Sequence, residues 1–377
     1  MTANMKRRNI VVMVKPASSL CNLRCTYCFY HDEAKNREEY QTGIMKEDTV
    51  RNLITKFSAV SEQVSFLFQG GEPTIAGLDF FRHWLELEKE ISPETHYYHA
   101  FQTNGMVIDD EWAEFFHDNN ILVGVSFDGG SRIHDAYRVD AEGNGSARKV
   151  LEAVEILKKH IVEFNILMVV TKLLAENVDY VWRFLLRHEL YFHQYIPCMD
   201  PLGGELNDFN LDDRTYCNFL KRLFDLWFDA LRHGLYVSVR LFDNEVMMLD
   251  GSMPESCELC GRCSIEYVSE GDGTIYPCDF FCIDEWRLGN INDGDVAKFD
   301  RKRSELGYIE RSLQDREGCM ECPAYVICRG GCQRYRKDGK YLFCKAIQDY
   351  YEYAGDRLWE VRAMMMRMRQ QQAMQDK

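Results

Sequence analysis

Apolar, β-branched runs alternate with amphipathic stretches six times over the first two-thirds of this chain, and that alternation constrains the fold more than any other feature. The apolar runs predict strands at Asn9–Val14, Gln63–Gln69, Tyr97–Gln102, Ile121–Phe127, Val162–Val170 and Phe192–Ile196. Between them, helical spacing marks Lys46–Ser58, Leu78–Ile91, Asp109–Asp118, Ala147–His160 and Asn177–His188, with a further helix at Asp212–His233. Strand–helix units in this order predict an α/β fold with a parallel sheet covered by helices. A closed TIM barrel needs eight such units, so six predict a partial (β/α)6 TIM-type barrel or an open sheet.

Such folds place ligands in the loops at the C-terminal ends of their parallel strands. Four unusual segments fall there: CNLRCTYC after the first strand, GGEPT after the second, QTNG after the third and SFDGG closing the fourth. From about residue 236 the texture changes to cysteines, glycines and short strands, and YVSEGDGTIYPCDFF reads as a hairpin turning at Asp272–Gly273. The expected division is therefore 1–235, a cysteine-rich domain at 236–350, and a helical tail at 351–377.

The net charge of −15 opposes nucleic-acid binding, and no basic patch offsets it. The N-terminus lacks a signal-peptide core, and no apolar run approaches the ~18 residues of a membrane span. The expectation is a cytoplasmic protein with no membrane partner. In a reducing compartment 15 cysteines suit metal ligation better than disulfides, and an odd count excludes complete pairing.

Cys21, Cys25 and Cys28 form C-x3-C-x2-C. Thiolates suit zinc or iron–sulfur clusters, and a structural zinc site would close with a fourth ligand, for which His31 is the neighbouring candidate. A cubane held by three cysteines instead leaves one iron open to an external ligand. Ten further cysteines lie between 257 and 344. CELCGRC begins like a bacterial ferredoxin run, but Tyr267 stands where its fourth cysteine belongs. Spacing alone leaves open two four-cysteine clusters or two zinc sites. Asp279, directly after Cys278, is either a base beside a redox centre or a turn residue.

CNLRCTYCFY followed by GGEPT resembles the signature of radical S-adenosylmethionine (SAM) enzymes. That resemblance implies a [4Fe-4S] cluster on Cys21, Cys25 and Cys28 whose open iron binds SAM. It implies SAM contacts from Gly70, Gly71 and Glu72, with softer matches at Ser126 for the ribose and Arg148 for the carboxylate; Gln69 and Asn104 are either polar contacts in the same mouth or loop-satisfying amides. The cysteine-rich block resembles a SPASM domain. This implies one auxiliary cluster on Cys257, Cys263, Cys278 and Cys332 and another on Cys319, Cys322, Cys328 and Cys344, three [4Fe-4S] clusters in all. Cys260 interrupts that pattern, so its exchange with Cys257 or Cys263 stays open.

The segments VEFNILMVVT, QYIPCMDP and GTIYPCDFF, over a likeness running from about 9 to 350, resemble anaerobic sulfatase-maturating enzymes. These oxidise a Cys or Ser, in a C/S-x-P-x-R motif of an unfolded sulfatase polypeptide, to Cα-formylglycine. The resemblance implies Asp279 as the base for the substrate thiol and Tyr30 as a residue beside it. It also implies an electron donor such as flavodoxin or ferredoxin. Two alternatives are another SPASM-type maturase that crosslinks a ribosomal peptide, and a non-enzymatic iron–sulfur electron carrier. The carrier reading leaves GGEPT unexplained.

Overall fold

The structure is a computed structural model that describes residues 9–203, 205–314, 316–337 and 339–375, with side chains up to 367. Contacts divide the chain into two compact units, one of Met1–Ile166, Pro201–Glu205 and Ile265–Tyr308, the other of Leu167–Asp200, Leu206–Ser264 and Ile309–Lys377. These units interleave along the sequence, whereas the change of composition near 236 divides it consecutively.

In the first unit β1 (Ile10–Val14), β2 (Gln63–Phe68), β3 (His96–Thr103) and β4 (Leu122–Ser126) pair in parallel, each with the next. Alternation of buried and half-buried residues in β1 and β2 follows the two-residue period of a strand. The crossovers carry α1 (Phe29–Lys35) and α2 (Glu47–Ser58) after β1, α3 (Leu78–Ile91) after β2, and α4 (Asp110–Asp118) after β3. Following β4 come α5 (Gly130–His134) and α6 (Ala147–Lys159). Leu53, Ile54 and Phe57 of α2 and Phe81 and Trp84 of α3 are buried, which is what their helical spacing predicts. Asp109 caps α4 by accepting from Trp112 N–H at 3.0 Å.

The division between units falls within β5 (Phe164–Val170). In the second unit β6 (Phe192–Pro197) pairs in parallel with β7 (Ser238–Val239). Helices Val178–Arg187, Asp213–Arg232 and Cys344–Gln375 belong to the same unit. The predicted boundaries of the six βα units hold to within about two residues.

The hairpin of the cysteine-rich segment extends the first unit's sheet. Its strand β8 (Tyr267–Ser269) pairs in parallel with β1, matching Val12 to Tyr267 and Val14 to Ser269. β9 (Thr274–Tyr276) returns antiparallel to β8, and β10 (Gly289–Asn290) pairs antiparallel with β9. This register sets the end of β8 and the β8–β9 turn, which begins at Glu270, beside the C-terminal end of β1; Asp279, after β9, is brought to that end by its ion pair with Lys15. Among the described residues no helix is long and apolar enough to cross a membrane.

Candidate active site

Three loops meet at the C-terminal ends of β1, β2 and β3. The thiol loop turns so that Cys28 N–H donates to Cys25 C=O at 3.2 Å, and Cys28 then caps α1. Gly70 and Gly71 both have positive φ, at 92° and 49°. A Cβ on Gly71 would lie 2.2 Å from the Leu20 carbonyl oxygen, so only glycine lets this segment lie against the thiol loop. Next in the chain, Glu72 N–H donates to Leu20 C=O at 2.7 Å.

The buried Glu72 carboxylate is used inward. It accepts from Thr74 N–H at 3.1 Å, Thr74 Oγ1 at 2.8 Å, Thr103 Oγ1 at 2.9 Å and Asn104 N–H at 2.7 Å. Burial raises its pKa above the ordinary carboxylate value, against the pull of those donors. Glu72 therefore braces the end of β2 against the end of β3, leaving the backbone of its segment to meet a ligand. Asn104 ties the third loop in, donating to Asn22 Oδ1 at 2.7 Å and lying 3.8 Å from Cys21 Sγ.

Burial pushes the Cys21 thiol up to about 12, with the Glu72 carboxylate adding to it. Cys25 is pushed up to about 11 by burial, which outweighs the Arg138 charge beside it. Burial raises Cys28 as well. Crowded thiols whose burial outweighs the cations beside them stay protonated, whereas soft metal coordination deprotonates such groups outright. The donor set thus fits an iron–sulfur cluster. His31 is not drawn to the thiols; its Nδ1 meets the Tyr40 hydroxyl at 2.7 Å. Among the described residues no three Cys, His, Asp or Glu side chains converge as on a single metal ion. A cubane does not require that convergence, because its ligands sit on separate corners.

Asp279 and Tyr30 meet through a residue that the sequence reading missed. Lys15, at the end of β1, is fully buried, ion-pairs with Asp279 and lies over the Tyr30 ring at 3.8 Å. Gln69 Nε2 donates to the other Asp279 oxygen at 2.7 Å. Burial works to lower the Lys15 pKa, but attraction from the Asp279 and Glu270 carboxylates overrides it and holds the ammonium charged. Gly70 makes room for the Lys15 stem, since a Cβ there would meet Lys15 Cγ at 2.5 Å. The Tyr30 hydroxyl donates to Glu270, which also accepts from Arg37 at 2.6 Å and from Ser18 Oγ at 3.0 Å. The available signal was a lysine closing the apolar run VVMVK at the ligand-binding end of a strand.

Two expected residues make contacts of their own. Ser126 at the end of β4 accepts from Gln102 Nε2 at 3.0 Å. Arg148 is exposed and pairs with Glu152 one turn along α6 at 2.9 Å, so the structure does not bring it to the other predicted residues.

In the second unit Cys328 is pushed up to about 11 by burial, with repulsion from Cys344, Cys319 and Cys322 adding to it. Cys332 is pushed up to about 12 by burial, with Cys263 also contributing, and Gln333 Nε2 lies 3.1 Å from Cys263 Sγ. Cys257 is exposed. Cys260 Sγ lies 3.7 Å from both the Pro254 and Ser256 carbonyl oxygens. Cys278 lies in the first unit, where its carbonyl accepts from Cys282 Sγ at 3.6 Å.

The family description "Radical SAM superfamily" matches residues 16–185. A cysteine-type anaerobic sulfatase-maturating enzyme of Clostridium perfringens is 40% identical over 362 residues, covering 93% of this chain and 97% of that protein. The cysteine-type enzyme of Clostridium novyi is 38% identical over 355 residues, covering 92% and 95%. Native anSMEcpe, solved with bound AdoMet and the Cp18Cys peptide, superposes with a TM-score of 0.89 at 38% identity, over 95% of this chain and 99% of that one. This chain is a radical SAM enzyme and belongs to the anaerobic sulfatase-maturating family.

Proposed function

We propose that this enzyme oxidises a cysteine in a C-x-P-x-R element of an unfolded sulfatase polypeptide to Cα-formylglycine. The observation that carries this reading is the seating of Asp279 by Lys15 and Gln69 at the strand ends shared with the thiol loop and the glycine segment. A carboxylate so placed meets a substrate where SAM chemistry would occur. The likeness to a structure holding both AdoMet and a cysteine peptide supports the same substrate class.

Cys21, Cys25 and Cys28 would hold the SAM-binding cubane, and the backbone of Gly70 to Glu72 would meet the methionyl group. Ser126 is proposed to meet the ribose. Arg148 is proposed to meet the SAM carboxylate, because an exposed i,i+4 ion pair of about 0.3–0.5 kcal/mol does not hold it back from a better anion. Cys319, Cys322, Cys328 and Cys344 are proposed to hold one auxiliary cubane, and Cys257, Cys263, Cys278 and Cys332 the other, as a SPASM domain would. When bound, the SAM-carrying cubane supplies hydrogen-atom abstraction from the substrate Cβ, and the auxiliary cubanes supply an outlet for the electron that follows.

The chain's own residues do the proton work. Asp279 takes the substrate thiol proton. Lys15 and Gln69 each engage one of its oxygens and fix its plane, leaving further lone pairs for the substrate. Tyr30, held by Glu270, supports the Lys15 ammonium from below with its ring face and shields the pair from water. A flavodoxin- or ferredoxin-type donor is proposed to deliver the starting electron.

Anaerobic incubation with SAM, a reductant and paired Cys and Ser peptides, read by mass spectrometry, tests the assignment. Aldehyde from the Cys peptide is expected, together with about 12 irons per chain. No aldehyde from either peptide contradicts it.

A further inference from the structure

A second buried ion pair lies against the thiol loop, and nothing in the proton chemistry above uses it. Arg24 N–H donates to Val139 C=O at 2.7 Å, and Thr26 N–H to Tyr137 C=O at 3.1 Å. These bonds lay residues 137–139 along 24–26 and leave Arg138 opposite Cys25. The Arg138 side chain is buried, and its Nε and Nη2 donate to the two Asp128 oxygens at 2.8 and 3.2 Å. Tyr27 donates its hydroxyl to the same carboxylate, and its ring centre lies 5.4 Å from the guanidinium carbon. Beneath them Asp128 N–H donates to His134 Nδ1 at 3.2 Å, while His134 Nε2 meets Ser146 Oγ at 2.8 Å. Ser146 Oγ also donates to the Arg138 carbonyl at 2.8 Å.

The guanidinium plane is therefore fixed along one edge by Asp128. The fork has five N–H donors, and the two bonds to the carboxylate use Nε and Nη2. Residues 25 and 138 face each other across that backbone pairing, so the guanidinium, with its plane held by Asp128, stands beside the Cys25 thiol.

We propose that Arg138 is a redox-positioning residue, whose N–H donation to the Cys25 sulfur raises the potential at which the cluster on the thiol loop accepts its electron. The proposal rests on reading Cys21, Cys25 and Cys28 as that cluster's ligands. Reduction adds one electron from a low-potential donor of the flavodoxin or ferredoxin class, and no bond forms or breaks. The added charge spreads onto the thiolates, so a donor aimed at one of them stabilises the reduced form more than the oxidised form. Asp128 offsets part of the guanidinium charge at longer range. It also fixes the fork, so the N–H donors stay directed at sulfur.

The test is an anaerobic redox titration of the holoenzyme, following the electron-spin signal that changes when SAM is added. Arg138→Gln is expected to keep its iron and that SAM-responsive signal. Its reduction equilibrium should fall tenfold or more, about 59 mV per tenfold for one electron. An unchanged midpoint potential with full iron overturns the proposal. Absence of any SAM-responsive signal in the unsubstituted enzyme overturns the ligand reading instead, which keeps the two failures distinct. A second measurement needs no change at Arg138. Holoenzyme carrying Arg24→Lys and 15N-labelled arginine should show a 15N hyperfine coupling to the reduced SAM-responsive cluster, and no coupling overturns the contact.

Discussion

Gln69 and Asp279 stand 210 positions apart in the chain, yet the Gln69 amide donates to the Asp279 carboxylate at 2.7 Å. Lys15 engages the other oxygen of the same carboxylate. β8 lying parallel to β1 brings the β8–β9 turn with Glu270 to the end of the first strand, where Lys15 also meets Asp279. A carboxylate is thereby placed in the mouth that the thiol and glycine loops share.

Asp279→Asn keeps the shape and an acceptor oxygen but cannot take a proton. Aldehyde formation is expected to fall by about 10²–10⁴-fold, the usual worth of general-base catalysis, with peptide KM little changed. Quantitative mass spectrometry of product against time checks this, and product at the full rate would remove Asp279 from the mechanism.

Lys15→Met leaves Asp279 and Glu270 without their shared buried cation. Breaking a buried pair on one side costs about 3–5 kcal/mol, so the urea midpoint should drop well beyond that of an exposed substitution. Because the Lys15 pKa is raised, its contribution is fully present below the ordinary lysine value and is lost only as pH rises through the raised one. The wild-type minus Lys15→Met difference should therefore stay flat between pH 6 and 9.

Gly71→Ala puts a Cβ against the Leu20 carbonyl and strains a φ of 49°. A strained site of this kind costs about 1–3 kcal/mol, so SAM affinity is expected to fall roughly ten- to hundredfold. Isothermal titration with SAM reads it directly, and unchanged affinity would show that the close approach of the two loops does not matter for binding.

Glu245 gives a pH dependence far from the chemistry. It is buried in the second unit, accepts from the Tyr350 hydroxyl at 2.7 Å, and burial raises its pKa to about 8. A carboxyl whose folded pKa is raised stabilises most below its unfolded value and loses that contribution as pH climbs through the folded one. Stability should decline as pH rises from about 5 through 8, and Glu245→Gln should remove that part of the decline. Denaturation midpoints at a series of pH values decide it.

How much of this was legible in the sequence depended on range. The helix Leu78–Ile91 was readable to the residue because hydrophobic spacing is a local signal. GGEPT and the thiol spacing were readable because their chemistry lies within a few positions. Pairing of β8 with β1 was not, since partners about 255 positions apart leave no periodicity in either strand. Glu72 stood out as part of GGEPT, but its inward bracing role needed the positions of Thr103 and Asn104. Lys15 and Arg138 stayed hidden for the same reason, because a buried cation is defined by partners that a linear reading does not supply.

The most direct test of the central claim is aldehyde formation on a C-x-P-x-R peptide by iron-loaded enzyme under anaerobic conditions with SAM and a reductant. The account predicts a peptide aldehyde that reacts with a hydrazine probe and is absent when SAM is left out. SAM cleavage with the peptide recovered wholly unmodified would contradict it.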